Sequence, residues 1–256
     1  MARKVVLKSE RDLAAMRKAG ELVAHALEAL KAQVRPGVST ADLDRFAYQY
    51  VTRHGGIPSF KGYHGYPASL CASINEEVVH CIPKPTRILR EGDIVSLDLG
   101  VRLGGFHGDS ALTVGVGQVP PQAQRLMDVT LEALWKGIEQ MRLGNSLQDV
   151  SWAIQQHVEA NGYSVVREMV GHGIGRNLHE EPQVPNYYMA PDAKNPLLPL
   201  CQGMTLAVEP MVNAGGTDIE VMPDLWTVVT KDRSLSAHFE HTVAVTRRGP
   251  QVLTLP

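Results

Sequence analysis

An internal repeat constrains the fold of this 256-residue chain more than any other feature. Ala26, Leu27, Gly37, Ser39, Asp42, Gln49, Val51 and Gly55 recur as Ala133, Leu134, Gly144, Ser146, Asp149, Gln156, Val158 and Gly162, at a constant shift of 107 positions. Capping serines and terminal glycines are common to most helices; their shared order and spacing is not. The pattern describes two helices in each half. The first runs from Ser9 to about Val34. Ser9 and Asp12 form its capping pair, and Leu13, Met16, Val23, Leu27 and Leu30 make an apolar stripe at helical spacing. Arg35-Pro36-Gly37 breaks it, and Ser39 with Asp42 starts a second helix that stops at His54-Gly55-Gly56. In the second half a helix from about Pro121 to Met141 breaks at Leu143-Gly144. Ser146 with Asp149 caps the next, which ends at Asn161-Gly162.

The repeat continues beyond the helices. Residues 58–92 read as loop and short strand. An apolar strand then runs from Ile94 and carries Asp98, Leu103-Gly104-Gly105 reads as a tight hairpin turn, and Asp109 lies on the returning strand. Asp98 and Asp109 stand an odd number of residues apart across that turn. They therefore share a face, opposite or one diagonal step apart. Gly92–Asp98 parallels Gly203–Glu209, with an acid ending each run. Phe106–Val114 parallels Ala237–Val245, so Asp109 answers to Glu240. His80-Cys81-Ile82-Pro83 parallels His179-Glu180-Glu181-Pro182. The chain thus reads as α+β: two similar α/β halves, residues 9–118 and 119–256, meeting about a pseudo-two-fold axis and sharing one sheet in a single domain, 1–256. Asp98, Asp109, Glu209 and Glu240 should converge at that axis.

Apolar residues make up 44% of the chain, so these acids converge in a largely apolar setting. Four carboxylates cannot all stay ionised there without compensation. Two divalent metals would balance their charge. His172, in Gly171-His172-Gly173-Ile174-Gly175, is the natural fifth ligand, its flanking glycines letting the backbone turn and giving the ring access. Four carboxylates and one imidazole suit Mn(II), Fe(II), Co(II) or Zn(II) better than copper or calcium. The three cysteines, Cys71, Cys81 and Cys201, show no metal-binding spacing and fit a reducing compartment. A net charge of −2 argues against a nucleic-acid partner. The opening Met-Ala-Arg-Lys-Val-Val-Leu-Lys is too short an apolar run for a signal peptide, and no stretch approaches a membrane span. A cytoplasmic protein is expected.

These residues and their phrases carry a resemblance: Asp98-x10-Asp109, Gly171-His172-Gly173-Ile174-Gly175, His179-Glu180-Glu181-Pro182, Val208-Glu209-Pro210-Met211 and Phe239-Glu240-His241-Thr242. From about Ser9 to Leu255 the chain resembles the type I, bacterial-type methionine aminopeptidases of peptidase family M24. The resemblance implies the pita-bread fold, with a curved antiparallel sheet shared between the halves. It implies a metallo-exopeptidase that removes initiator methionine from nascent chains, preferably before a small, uncharged second residue. The few residues ahead of the first helix match the short bacterial form. Asp98 would chelate one metal, His172 with Glu209 the other, and Asp109 and Glu240 would bridge them. A water activated by the metals would attack the carbonyl of the first residue, Glu209 would handle protons, His179 would stabilise the oxyanion, and His80 would contact the scissile amide.

The resemblance also implies a methionine pocket formed by Phe60, Tyr63, Tyr66, Cys71, Leu178 and Trp226, with His80 and His179 at its reactive end. Phe60 stands where bacterial relatives carry cysteine, and Leu178 where they often carry phenylalanine. Both keep the wall apolar. Asn75 and Ser236 match a monovalent-cation site. Nascent chains near the ribosome exit are the expected partner, and the protein is expected to be a monomer. The remaining histidines, including His107, His238 and His241, are read as structural, with His107 and His241 standing behind the ligands they neighbour. A proline-directed peptidase of the same fold, and an inactive binding module built on it, are the competing readings.

Overall fold

Short local signals start the helices where the repeat places them. Helix α1, Glu10–Lys31, begins at Ser9, whose side chain accepts from the Asp12 N–H while the Asp12 carboxylate accepts from the Ser9 N–H and O–H. The same reciprocal pair, Ser39 and Asp42, starts α2, Thr40–Arg53. Helix α3, Pro121–Gln140, opens on a proline, which gives up only an N–H that a first helical turn leaves unpaired anyway. Helix α4, Leu147–Ala160, begins at Ser146, whose N–H and O–H both donate to Asp149. Helix α1 ends three residues before the expected Val34. Its last carbonyls are taken by tighter bonds, Gln33 N–H to Leu30 O and Val34 N–H to Lys31 O, which close the helix early.

The computed structural model describes residues 5–192 and 196–256. The opening Met-Ala-Arg-Lys, part of the segment read for a signal peptide and of the 1–256 domain assignment, lies outside the described residues. In the first half the strands are β1 (Ile57–Pro58), β2 (Cys71–Ile74), β3 (Glu77–Val79), β4 (Ile94–Leu103) and β5 (Phe106–Gly115). In the second half they are β6 (Ser164–Val165), β7 (Gly171–Gly173), β8 (Glu180–Val184), β9 (Thr205–Val208), β10 (Met211–Asn213), β11 (Ile219–Val221), β12 (Val228–Thr230), β13 (Ser236–His238), β14 (Glu240–Thr246) and β15 (Gly249–Val252).

Nine strands form one sheet whose main path runs β1-β4-β5-β14-β9-β7-β8, with β2 also on β4 and β15 also on β14. All its pairings are antiparallel. Read outward from the β5/β14 seam, β5-β4-β2 on one side mirrors β14-β9-β7 on the other. That is the order a pseudo-two-fold axis through the seam produces. Asp109 lies beside the seam, where its N–H donates to Thr242 Oγ1 and its carbonyl accepts from the same hydroxyl.

Each half fills its own core. Leu27, Leu30 and Leu43 pack on Leu97 and Leu99 in the first half, and Leu134, Ile138 and Ile154 on Leu206 and Val243 in the second. Helix α1 lies directly on β4 and β5, closest where Gly20 meets Gly108; a Cβ on Gly108 would come 2.8 Å from the Gly20 nitrogen. Two smaller three-stranded sheets, β13-β10-β6 and β11-β12-β3, stand outside the main one. No helix among the described residues is long and apolar enough to cross a membrane.

Candidate metal centre

The β4–β5 hairpin turns at Gly104 and Gly105, whose φ of +60° and +84° suit glycine and the tight two-residue turn. Asp98 pairs with Ala111 and Asp109 with Gly100, which places the two aspartates one diagonal step apart on one face. Glu240 opens β14 opposite Ala111, and Glu209 follows directly on the end of β9. Asp98, Asp109, Glu209, Glu240 and His172 all line one cavity of about 700 Å³. Donor atoms of Asp109, His172 and Glu240 lie within 4.8 Å of one another. His172 Nε2 stands 3.6 Å from Glu209 Oε1 and 4.0 Å from Asp109 Oδ2.

His172 is oriented by its own strand. Its Nδ1 lies 2.9 Å from the Gly173 carbonyl, to which only an Nδ1–H can donate. The neutral ring then presents its Nε2 lone pair beside the carboxylate oxygens, where all of them can face one cation. The flanking glycines do something other than turn the chain. Neither Gly171 nor Gly173 has a positive φ. A Cβ on Gly171 would sit 2.3 Å from the Ala207 carbonyl oxygen, and one on Gly173 2.2 Å from that of Glu181. They are glycines because β7 is squeezed between β8 and β9, and this corrects the expectation from sequence.

Electrostatics set what this centre accepts. Burial pushes the Asp98 carboxyl up to about 7. Asp109 is raised well above its ordinary value by burial, then by the Asp98 and Glu209 charges. Glu209 is raised by burial and Asp98, and Glu240 by burial, Asp109, Glu209 and Asp98. Burial, then His179 and His80, pull His172 down to about 3 despite the raising effect of its bond to Gly173. Asp98 Oδ1, Asp109 Oδ1, Glu209 Oε1 and Glu240 Oε1 are buried without a hydrogen-bond partner among the described residues. Four crowded carboxylates, each keeping an oxygen free, beside an imidazole lone pair, form a donor set that fits divalent metal.

Two further histidines flank the centre. The His179 ring meets the His172 ring edge-on at 4.1 Å between centroids, and its Nδ1 is 2.8 Å from the Tyr63 hydroxyl. Solvent reaches His179 at the cavity mouth, yet the atoms packed around its ring, with His80, His64 and His107, lower its pKa to about 4. His80 lines the cavity and is lowered by burial. It takes φ +61°, whereas His179 has no positive φ, so the two repeat-related histidines are presented by different backbones.

The expected pocket residues come together. Phe60 sits against Gly100, where a Cβ would approach its ring to 2.7 Å. Phe60 joins two apolar groups, one with Tyr63 and Leu178 and one with Tyr66, Cys71 and Trp226. Trp226 meets Tyr66 edge-on at 5.1 Å. Cys71 pairs with Asp98 across β2 and β4, which joins this wall to the carboxylates. Asn75 and Ser236 also meet, through the Ser236 N–H to the Asn75 carbonyl. His107 bonds Ser59 and His241 bonds Thr254.

Three residues at the site have no signal in the sequence pattern. Lys8 is buried, its Nζ 2.5 Å from Glu180 Oε2, and Glu180 also accepts from the Asn177 N–H, bracing the turn that carries His179. Val6, beside it, lines the cavity. His238 has its Nε2 buried without a partner, 3.9 Å from Glu209 Oε2. Lys8 and Glu180 are far apart in the chain, and no local spacing announces their pairing.

Residues 14–247 match the family model described as metallopeptidase family M24. The chain is 51% identical over 251 residues to a methionine aminopeptidase of Clostridium perfringens, covering 98% of this chain and 99% of that protein. It superimposes on the crystal structure of methionine aminopeptidase from Rickettsia prowazekii with a TM-score of 0.94 at 42% identity, over 98% of this chain and 100% of that one. A prolidase from Pyrococcus horikoshii shares the fold alone, with a TM-score of 0.78 at 20% identity, over 97% of this chain and 63% of that one. The two-half arrangement about a curved antiparallel sheet is the pita-bread fold that these structures share.

Proposed function

The chain belongs to metallopeptidase family M24, and from that premise we propose that it removes the N-terminal methionine from peptides and nascent proteins. The observation that carries this is a buried set of four carboxylates and one imidazole at the end of a cavity whose walls are apolar and aromatic. Asp98, Asp109, His172, Glu209 and Glu240 would hold two divalent ions, from among Co, Mn, Fe and Zn. When bound, the ions offset the carboxylate charge, make water more acidic and polarise the scissile carbonyl.

The residues of the chain do the rest. Phe60, Tyr63, Tyr66, Cys71, Leu178 and Trp226 receive the methionine side chain, whose flexible thioether adapts to an apolar, aromatic wall. Glu209 takes a proton from the attacking water and passes it to the departing amine. The Tyr63 hydroxyl lies 2.8 Å from His179 Nδ1; donating there, it would leave Nε2–H as a donor for the developing oxyanion. His80 contacts the amide being cut. Together the two imidazoles narrow the space beyond the scissile bond, which favours a small, uncharged second residue. The chain works in the cytoplasm as a monomer and a single catalytic domain, 1–256, on chains leaving the ribosome, without nucleic acid as a specific partner. Asn75 and Ser236 contribute to a site for one monovalent cation.

Cleavage of Met-Ala-Ser by metal-stripped protein, assayed anaerobically with Mn(II), Fe(II), Co(II) or Zn(II) added back, tests this. Activity should appear only with metal and should be lost in Asp109→Asn. Cleavage that needs no metal would sink the metal assignment, and preference for X-Pro peptides over Met-Ala-Ser would overturn the substrate.

A further inference from the structure

His238 ends β13 and pairs with Met211 of β10, two residues after Glu209. Its backbone is fixed from the other side as well. Thr113 Oγ1 accepts from the His238 N–H at 2.9 Å and donates to the His238 carbonyl at 2.7 Å. The imidazole is therefore carried on a rigid stem. It is 1% exposed, and its Nε2 is buried without a hydrogen-bond partner among the described residues. A buried polar atom left in that state is costly, so a nearby group should complete it. That group is Glu209, whose Oε2 lies 3.9 Å away. The other oxygen, Oε1, faces His172 Nε2 at 3.6 Å. Glu209 thus stands between two imidazoles, one at each oxygen, and its own carbonyl is held by Asn186 Nδ2.

From this arrangement we infer that His238 is a positioning residue for Glu209. In the metal-loaded protein its neutral ring donates Nε2–H to Glu209 Oε2, which keeps Oε1 turned toward His172 and the metal they share. The inference rests on the reading of Glu209 as a metal ligand. It gives the buried, unpartnered Nε2 of His238 an acceptor in Glu209 Oε2. Outer partners of this kind typically change metal affinity by about 10–100-fold.

Calorimetric titration of metal-free protein with Zn(II) tests it on wild type, His238→Gln and His238→Leu. Glutamine keeps an N–H donor, and leucine keeps only bulk. Leucine should weaken zinc binding by about 10-fold or more, and glutamine should restore most of it. The melting temperatures of the metal-free proteins report any general loss of packing. A second measurement needs no folded leucine variant. In a long-range proton–nitrogen spectrum of the zinc-loaded wild type, His238, assigned by its disappearance in His238→Gln, should show a protonated Nε2. A leucine variant that titrates like wild type, a glutamine variant as weak as leucine, or an unprotonated Nε2 overturns the inference and leaves Glu209 a ligand. A wild type that takes up no zinc overturns the ligand reading, and this inference with it.

Discussion

His179 shows how much one hydrogen bond decides at a reactive centre. Its ring is touched at Nδ1 by the Tyr63 hydroxyl and edge-on by His172. With its pKa lowered to about 4 it is neutral at physiological pH, so in the proposed reaction it would act as a neutral donor and not as a cation. Which nitrogen carries its single proton then matters. A Tyr63 hydroxyl that donates to Nδ1 places the proton on Nε2. His179→Ala should lower kcat by about 10²–10³-fold with a small change in KM, the signature of a donor used only in the transition state. Tyr63→Phe should lower kcat by less, in the same sense, because the imidazole remains but its tautomer is no longer imposed. Steady-state kinetics on Met-Ala-Ser with both variants checks this. Equal KM increases with unchanged kcat would instead make Tyr63 and His179 parts of the methionine pocket only.

At the scale of elements, the centre depends on how closely three strands approach. Strand β7 carries His172 between β8 and β9, and Gly171 is its point of close contact with β9. A methyl group there would meet the Ala207 carbonyl at 2.3 Å, the Val184 Cβ at 3.1 Å and the Glu209 Cγ at 3.2 Å. The first of these is backbone and cannot swing aside. Gly171→Ala should therefore cost about 1–3 kcal/mol, the usual range for overpacking, and push apart His172 and Glu209. Urea denaturation and zinc titration should fall together, and a variant with wild-type zinc affinity would show that β7 can slide without moving the ligands. The elements themselves were legible in the sequence wherever a cap or a repeat marked them: Ser9, Ser39 and Ser146 name their helix starts, and Gly104-Gly105 names the turn. The short strands β6, β10 and β13 were not, because two or three residues carry no period. The role proposed for His238 was hidden for the same reason. Its proximity to Glu240 in the chain says nothing of Glu209, which β10 brings beside it.

At the scale of the whole molecule, the two halves place a group of carboxylates at their seam that folding alone does not neutralise. The sign of the resulting pH dependence can be worked out. Asp98, Asp109, Glu209 and Glu240 all have raised pKa values in the folded chain, so without metal the native state holds protons that the unfolded chain releases. Their contribution to stability is complete below the unfolded carboxylate range and is lost as pH rises through the folded values, about 7 for Asp98 and well above the ordinary carboxylate range for the others. The buried histidines act in the opposite sense. Their lowered values contribute stability that is present above the unfolded pKa of about 6.5 and lost below it, so they are silent above neutrality. Between about pH 7 and about pH 8, metal-free protein should lose roughly 2.5 °C of melting temperature for each proton still held. Divalent metal should reverse the trend. It binds deprotonated ligands, so binding releases those protons and the stabilisation grows with pH. Thermal melts in chelator and in Mn(II) across this range measure both slopes. A metal-free melting temperature that stays level or rises would mean that the carboxylates at the seam are already ionised, with charge compensation from within the chain.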